Sequence, residues 1–402
     1  MPNPATTSSR PYAAPRAPAP RATRVPRPPA RPDRRRRVRR ILLLTALLSL
    51  IPALVSFATT MAQPSNSSFF INAVEWLREN GARGLVNRVE NFYYSLTAPP
   101  KGGPALRKLP HQAGALSAAT ATGARAATYY RPPNIAPLVR NGLPGEGVWH
   151  ATYADGGSRP PVLITIFRPE PLEYPQVVVG VAWIDHTRTS TWLYPGAQEP
   201  AVSLPDRGPE EIPTSMRSHL VAAFNSGFKL QDSGGGFATG GHTYAPLNDG
   251  LATIVRYRSG QVDVTSWSGG PDVGPDVVYA RQNLPLIVNN GRPNPNLNDG
   301  PQWGATLGNA ALVWRSALGV DRYGNLIYAS GPDQGLSSLA STMIHAGAVR
   351  AMELDINTYW TSFITYRYPG ATDAANLLPQ MDRSPLRYLT PDDRDFFAVY
   401  TR

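Results

Sequence analysis

The most distinct feature of the hydrophobic pattern is the uncharged apolar run Ile41–Ala62, near the start of the chain. At about 1.5 Å of rise per residue, a helix of roughly 20 apolar residues spans the hydrocarbon core of a bilayer. Residues 41–62 are therefore predicted to form a transmembrane helix. Residues 63–98 carry apolar side chains at helical spacing, which predicts juxtamembrane amphipathic helices.

The segment before this helix, residues 1–40, is rich in proline and arginine. It has too few large apolar side chains to offset the entropy of ordering, so a disordered tail is predicted. The arginines adjoin the apolar run, whereas residues 63–100 balance Arg against Glu, and the positive-inside rule therefore predicts a cytoplasmic N-terminus. A cleaved signal peptide is the alternative, but the long apolar run favours an uncleaved, single-pass anchor in the cell membrane.

The pattern changes again downstream of the predicted helices. Residues 99–139, rich in Ala, Gly, Thr and Pro, read as a linker. From residue 140 to residue 402, short apolar or alternating runs are separated by turn residues, which predicts a strand-rich domain. Its clearest helical pattern is Leu336–Ala346, followed by Gly347 as a stop signal. The fold class is thus α+β, with one extracytoplasmic globular domain of mixed helices and strands.

Composition narrows the classes of function. The formal net charge of the chain is +11. Residues 1–40 hold twelve Arg and one acid, Asp33, so the remainder of the chain is neutral and has no basic bias toward nucleic acid. Cysteine is absent, which excludes disulfides, thiolate metal sites and a cysteine nucleophile. We expect no nucleic-acid partner, and the oligomeric state stays open.

One predicted strand carries paired acids. Side chains alternate along a strand, so Glu353, Asp355 and Asn357 are predicted to share one face. Met352, Leu354 and Ile356 then take the opposite face. Buried carboxylates need a cation, a metal or an open cleft. An exposed sheet face, with the acids in water, is an equally open alternative.

Two further segments combine apolar strands with polar groups. The strand at residues 220–224 ends in Asn225-Ser226-Gly227-Phe228 and a glycine-rich stretch that reaches His242. Glycine permits close approach of the backbone to a ligand, although a plain surface loop reads the same way. Arg315 lies inside an apolar strand, so it is expected to pair with an acid or to bind an anion such as phosphate.

These segments, in this order, resemble the phosphodiester glycosidase family. The matching stretches are Asn225-Ser226-Gly227-Phe228, Pro285–Gly291, Arg315–Gly319, Ser338–Ala340 and Ala351–Asp355. The resemblance covers roughly residues 215–365 and implies that family's fold. This chain departs from the family pattern after Asp355, because Ile356–Tyr359 stands in place of a glycine-rich Gly-Gly-Gly-Ser end.

The resemblance implies an extracytoplasmic hydrolase of a glycosyl-1-phosphodiester in envelope or wall glycans, with no cofactor. Its catalytic carboxyls would be Asp355 and Glu353. The substrate-binding residues would be Arg315, Asn225, His242, Gly227 and Asn357. A non-catalytic envelope protein that binds a glycan or a partner is the main alternative. A phosphoesterase holding a divalent cation on Glu353, Asp355 and Asn357 is the third.

Overall fold

A computed structural model describes residues 34–116, 129–153, 159–298, 303 and 312–402. The chain divides after residue 58 into two compact units, the first containing most of an apolar helix and the second containing all sheets described below. The fold is mixed α+β, as the sequence predicts.

The apolar helix α1 spans Arg34–Ala62. It is long and apolar enough to cross a membrane, a property that it shares with signal sequences. Residues 34–40 belong to this helix and not to the predicted disordered tail, because arginine has a high helix propensity and continues the apolar run without a break. The other part of that predicted tail, residues 1–33, lies outside the described residues.

Four further α-helices follow α1 among the described residues. They are α2 (Phe69–Leu77), α3 (Arg83–Thr97), α4 (Leu230–Ser233) and α5 (Leu336–His345). A wide turn, Arg78–Ala82, joins α2 to α3. Helix α2 begins at Ser68, whose side-chain oxygen accepts a hydrogen bond from the amide of Ile71 and so caps the helix. Residues 63–98, where the sequence predicts amphipathic helices, contain the two helices α2 and α3.

Eighteen strands lie among the described residues. They are β1 (His150–Ala151), β2 (Val162–Phe167), β3 (Val179–Ile184), β4 (Thr189–Tyr194), β5 (Leu220–Asn225), β6 (Phe237–Thr239), β7 (His242–Ala245), β8 (Ala252–Tyr257), β9 (Val262–Ser266), β10 (Val277–Gln282), β11 (Leu286–Asn289), β12 (Arg292–Pro293), β13 (Val313–Asp321), β14 (Leu326–Gln334), β15 (Ala348–Ile356), β16 (Phe363–Tyr368), β17 (Thr372–Asn376) and β18 (Phe396–Thr401).

These strands form three antiparallel sheets. The largest has the order β1-β2-β3-β14-β13-β15-β11-β12. The second has the order β7-β6-β10-β8-β9, and the third β17-β16-β5-β18-β4. Strand β15, which carries the predicted acids, pairs with β13, which carries Arg315. The two strands therefore bring the chemistry of distant segments together in the middle of the largest sheet.

Each face of the largest sheet is covered by a different layer. On one face Met352 and Leu354 of β15 join a core to which all three sheets contribute, with Phe224 of β5 and Phe397 of β18. On the other face α5 packs its apolar positions, including Met343, against the sheet. Carboxylates placed in the middle of this sheet are consequently buried on either face, and each requires a partner.

The predicted linker packs against the domain where it is described. Ile135 is buried in the core beneath α5, and Leu106 and Leu109 pack on the larger core. The amide of Leu116 donates a hydrogen bond to the carbonyl of Ala151 at 2.8 Å. These contacts differ from the free linker that the composition suggests, because the few apolar residues of the segment are sufficient to dock it. Residues 117–128 of the linker lie outside the described residues.

Candidate functional site

Glu353 and Arg315 form an ion pair that is closed to solvent. The two side chains are fully buried, with 2.6 Å between Arg315 Nη1 and Glu353 Oε1. Arg315 Nε also donates a hydrogen bond to the carbonyl oxygen of Gln334 at 2.9 Å. The pair follows from the antiparallel register of β13 and β15, in which Ala317 lies opposite Glu353. The sequence prediction that Arg315 pairs with an acid or an anion is met by this carboxylate.

The carboxyl of Glu353 titrates close to neutral pH. Burial raises its pKa to about 7, against the opposing attraction of Arg315. Direct contact with a guanidinium favours the ionised form, so the two effects conflict. Burial is the larger of the two effects, because the side chain is fully buried and Oε2 of Glu353 accepts no hydrogen bond from any described residue that would stabilise its charge.

Asp355 contacts a different arginine, on a different layer. Arg394 Nη2 donates a hydrogen bond to Asp355 Oδ2 at 2.6 Å. Arg394 lies in the loop before β18, and its guanidinium stacks over the ring of Trp360 at 4.7 Å. A register shift between Arg315 and Ala317 interrupts the pairing with β15. Because such a bulge breaks the alternation of side chains, the predicted common face of Glu353 and Asp355 is not observed.

Asp355 is protonated at higher pH than an exposed aspartate. Burial raises the pKa of Asp355 to about 6, and the attraction of Arg394 opposes this rise. For Arg394, the carboxylates of Asp355, Glu199 and Glu75 outweigh the effect of burial and raise its pKa. The guanidinium thus stays charged while its carboxyl partner can hold or release a proton.

Asn225 is the node that holds these strands in register. Its Oδ1 accepts hydrogen bonds from the hydroxyl of Tyr328 at 2.8 Å and the amide of Ser362 at 2.9 Å. Its Nδ2 donates to Ser316 Oγ at 3.0 Å, and Ser316 Oγ donates to the carbonyl oxygen of Asp355 at 2.7 Å. Asn225 is therefore connected to Asp355 through one hydroxyl, but its own amide is fully used within the protein.

The turn after Asn225 approaches the same place. The carbonyl oxygen of Ser226 accepts a hydrogen bond from the amide of Asp355 at 3.0 Å. A Cβ on Gly227 would lie 3.0 Å from Cγ of Asn283, so glycine permits this close approach. Asn283 Nδ2 in turn donates to the carbonyl oxygen of Glu353 at 2.7 Å.

Several buried polar atoms in this region have no hydrogen-bond partner among the described residues. They are Ser226 Oγ, Asn283 Oδ1, Glu353 Oε2 and Arg394 Nε. Buried polar groups are nearly always paired, so each of these atoms retains an unused capacity for a hydrogen bond.

Glu75 of α2 and Glu79 of the turn after it contact a lysine of this region. Lys229 Nζ lies 2.5 Å from Glu75 Oε2 and 2.7 Å from Glu79 Oε1. Burial, which alone would raise the pKa of Glu75, is outweighed by Lys229 and Arg394, and the pKa of Glu75 is lowered. For Lys229 the same carboxylates outweigh burial and raise the pKa. Lys229 and Arg394 are thus two neighbouring buried cations, the first paired with Glu75 and Glu79 and the second with Asp355.

Polar contacts just before α2 and at the start of α3 hold the two helices on the domain. Ser65 Oγ donates to Asp393 Oδ2 at 2.6 Å, and the amide of Ser68 donates to the hydroxyl of Tyr359 at 3.1 Å. At the start of α3, Arg83 Nη1 lies 2.7 Å from Asp232 Oδ1. These contacts keep Glu75 and Glu79 within reach of Lys229.

A further carboxyl belongs to the same group. Glu199 is almost fully buried, and burial raises its pKa against the attraction of Arg394. We call Asp355, Arg394, Lys229 and Glu199 the Asp355 cluster. Near Glu199 lies a second buried ion pair, between Arg281 Nε and Asp395 Oδ2, which are 2.8 Å apart.

Two of the predicted site residues take other roles. His242 is exposed at the start of β7, the edge strand of the second sheet, and is paired there with Thr239. Asn357 adopts a positive φ of 80°, and its Oδ1 accepts a hydrogen bond from the amide of Tyr359 at 2.7 Å. The side chain of Asn357 therefore stabilises a turn, which is a common role of asparagine in left-handed backbone.

Four residues of this region were not predicted from the sequence: Arg394, Lys229, Glu199 and Asn283. The sequence feature that could have indicated Arg394 is the charged run Asp392–Asp395, directly before the apolar strand β18. Charged residues next to a buried strand need partners inside the protein. Among the described residues, no group of three or more His, Cys, Asp or Glu side chains is arranged to hold a metal ion. The acids contact arginine or lysine instead.

Comparison with known proteins gives weak likenesses of fold. No protein-family model matches the chain, and no curated protein matches it. Among solved structures, the catalytic domain of zebrafish N-acetylglucosamine-1-phosphodiester alpha-N-acetylglucosaminidase, auto-inhibited by its pro-peptide, is 14% identical with a TM-score of 0.41. The match covers 61% of this chain and 85% of that chain.

Two other solved structures are similar at a lower level. A hypothetical protein from Synechocystis is 15% identical, with a TM-score of 0.32 over 56% of this chain and 59% of that chain. A putative exported protein from Burkholderia pseudomallei is 12% identical, with a TM-score of 0.30 over 56% of this chain and 74% of that chain. The chain thus contains an α+β domain of three antiparallel sheets, with a buried cluster of paired charges around Asp355. An apolar helix precedes this domain in the sequence.

Proposed function

We propose that the protein is a membrane-anchored, extracytoplasmic hydrolase of a glycosyl-1-phosphodiester, with its chemistry at the Asp355 cluster. Helix α1 is the uncleaved anchor and its arginine-rich start faces the cytoplasm. The substrate is an envelope or wall glycan that carries a sugar linked through C1 to phosphate.

One observation carries this proposal: the buried carboxyl of Asp355 lies 2.6 Å from Nη2 of Arg394, in a region that also holds Lys229. Burial raises the pKa of this carboxyl to about 6. General acids work best with a pKa near the working pH. Neighbouring arginine and lysine side chains favour the binding of a phosphate group. Its negative charge would replace that of Glu75 and Glu79, which pair with Lys229 in this structure. An acid beside two cations could bind a sugar phosphate and protonate its bridging oxygen.

The proposed step assigns a role to each member of the cluster. Arg394 and Lys229 hold the phosphate oxygens, and Asp355 donates its proton to the bridging oxygen as the bond from that oxygen to C1 breaks. Water adds to C1, and its proton passes to Glu199, the other carboxyl beside Arg394. The products are the free sugar and a phosphate monoester. Carboxyl pairs perform both halves of such reactions in glycosidases.

Glu353 and Arg315 act as positioning residues in this proposal. Neither side chain is exposed, and each is held by the other and by β13 to β15 pairing. They fix the strand from which Asp355 projects. This differs from the sequence interpretation, which assigned Glu353 a catalytic role and Arg315 a contact with phosphate.

A substrate can reach Lys229 only if Glu75 and Glu79 move away from it. That closure favours the second candidate function, a non-catalytic envelope protein that uses the fold to bind a glycan or a partner. In that case Glu75 and Glu79 are permanent structural partners of Lys229 and no sugar is released.

The test is release of free sugar by the purified full chain in detergent micelles. UDP-N-acetylglucosamine and an isolated wall glycopolymer phosphodiester serve as substrates, with and without a chelator. Asp355→Asn removes the proton donor and keeps the size of the side chain. Asp272→Asn, at an exposed position, is the matched control.

Sugar release by the wild type and Asp272→Asn, with at least a hundredfold loss in Asp355→Asn, supports the hydrolase, since general acid catalysis contributes on the order of a hundredfold or more. Retention on a glycan resin without any product supports the binding protein. Loss of activity in chelator supports the metal-dependent phosphoesterase and contradicts both.

A further inference from the structure

The helices α2 and α3 expose a row of large apolar side chains. In α3 the exposed residues recur at i, i+4, i+7 and i+11, which places them on one face. Their exposed fractions are 63% for Leu85, 60% for Val89, 65% for Phe92 and 69% for Leu96. In α2 Phe70 is 80% exposed. We call these five residues the apolar face. Single exposed apolar residues are ordinary, but an aligned set on consecutive helices indicates a partner.

The opposite side of α3 is already engaged with the domain, so the apolar face cannot be turned inward. Val86 is buried, and Tyr94 packs against the core beneath α5. Asn91 and Arg88, on a third side of the helix, are polar and exposed. Helix α3 therefore has three distinct sides: one packed on protein, one suited to water and one apolar side without protein cover among the described residues.

The chain itself limits what can cover the apolar face. Only Gln63–Ser68, six residues, separate the end of α1 from the start of α2. Fully extended, six residues reach about 20 Å. The polar headgroup layer on each side of the hydrocarbon core is roughly 5–8 Å deep. If α1 spans the bilayer, α2 cannot begin far from the lipid headgroups.

We propose that the apolar face lies on the outer surface of the membrane, with Phe70 and Phe92 inserted at the boundary between headgroups and acyl chains. This inference rests on the proposed anchoring by α1, and it goes beyond it by orienting the domain. An amphipathic helix in that position buries its apolar side in the interface. Residues 63–98 hold three Arg and three Glu, so attachment does not depend on anionic lipid.

The absence of cysteine permits a direct test, because a single introduced cysteine is a unique labelling site. The full chain is reconstituted at one copy per phosphatidylcholine nanodisc, as Phe92→Cys or as Asn91→Cys. An environment-sensitive fluorophore is attached to each. Asn91 is the matched control, one residue away on the water-facing side of the same helix.

The expected result is blue-shifted emission, protection from iodide and quenching by nitroxide-labelled lipid at position 92, with none of these at position 91. The double variant Phe70→Asp and Leu85→Asp, labelled through Leu96→Cys, should lose the lipid quenching that Leu96→Cys shows alone. Both substitutions are at exposed positions, and an unchanged thermal melting curve verifies the fold.

Three results overturn the inference, and each is distinct from failure of the anchor. If the label at position 92 is quenched by iodide as strongly as that at position 91, in a chain that is incorporated in the nanodisc, the face is in water. If protection appears only with two copies per disc, a second copy covers it. If it appears only with anionic lipid, charge and not the apolar face is responsible. A chain that is not incorporated, or that starts near Gln63, contradicts the anchor itself.

Discussion

Replacing Glu353 by glutamine should flatten the pH dependence of stability. The variant keeps the shape of the side chain and the hydrogen-bonding oxygen toward Arg315, but it cannot titrate. The wild-type carboxyl is fully buried, and burial raises its pKa to about 7 from the ordinary 4.5. The folded state therefore binds more protons than the unfolded state between those two pH values. Its contribution to stability is fully present below pH about 4.5 and is lost as the pH rises through about 7.

The magnitude follows from the same two values. At about 1.4 kcal/mol per pH unit, the difference between 4.5 and about 7 corresponds to about 3 kcal/mol of unfolding free energy. Asp355, with its pKa raised to about 6, adds a loss of the same sign at slightly lower pH, and this part remains in the variant. The substitution also changes the charge beside Arg315, which shifts the level of stability and not its slope with pH. The slope, and not the level, therefore reports the titration of Glu353.

The assay is urea unfolding of the full chain in nonionic micelles, followed by tryptophan fluorescence, at pH steps from about 5 to about 8. The wild type should lose several kcal/mol across this range, and Glu353→Gln about 3 kcal/mol less. Asp272→Asn should follow the wild type. Parallel curves for the wild type and Glu353→Gln would refute the reasoning, since they would mean that the ion pair with Arg315 keeps Glu353 ionised throughout.

Two further predictions concern the surroundings of the Asp355 cluster. Asn225→Ala should destabilise the domain by about 3 kcal/mol or more in the same urea assay, because Tyr328, Ser362 and Ser316 each lose a partner in the interior; a loss below about 0.5 kcal/mol, the range of an ordinary surface change, would contradict its role as a node. Glu75→Gln should speed amide hydrogen exchange across α2 and α3 more than Glu79→Gln does, since the Glu75 side chain is 16% exposed and that of Glu79 45%. Equal exchange in both variants would mean that α2 is held by its other contacts.

The strand pattern could be predicted because most strands are short apolar runs between turn residues. Leu220–Asn225 and Leu326–Gln334 begin where the pattern predicts, and α5 differs from prediction only at its last residue. The pairing of Arg315 with an acid also followed from an arginine inside an apolar strand. These features depend on local sequence and on the cost of burying an unpaired charge.

The rest of the site depends on contacts that local pattern does not contain. A bulge opposite Arg315 turns Asp355 away from Glu353, and a bulge is set by pairing between strands and not by one strand alone. Lys229 reaches acids about 150 residues earlier in the chain. Arg394 approaches Asp355 only because β18 pairs with β5 in the third sheet. Such juxtapositions follow from topology.

The most direct test of the central claim is the pH profile of sugar release by the full chain, measured for the wild type and Asp355→Asn. The proposal predicts that the wild-type rate falls as the pH rises through about 6, because Asp355 must be protonated to donate, and that the variant lacks activity on both sides of that pH. Release by Asp355→Asn at the wild-type rate, or a wild-type rate that increases through the same pH, would contradict the assignment of Asp355 as the acid.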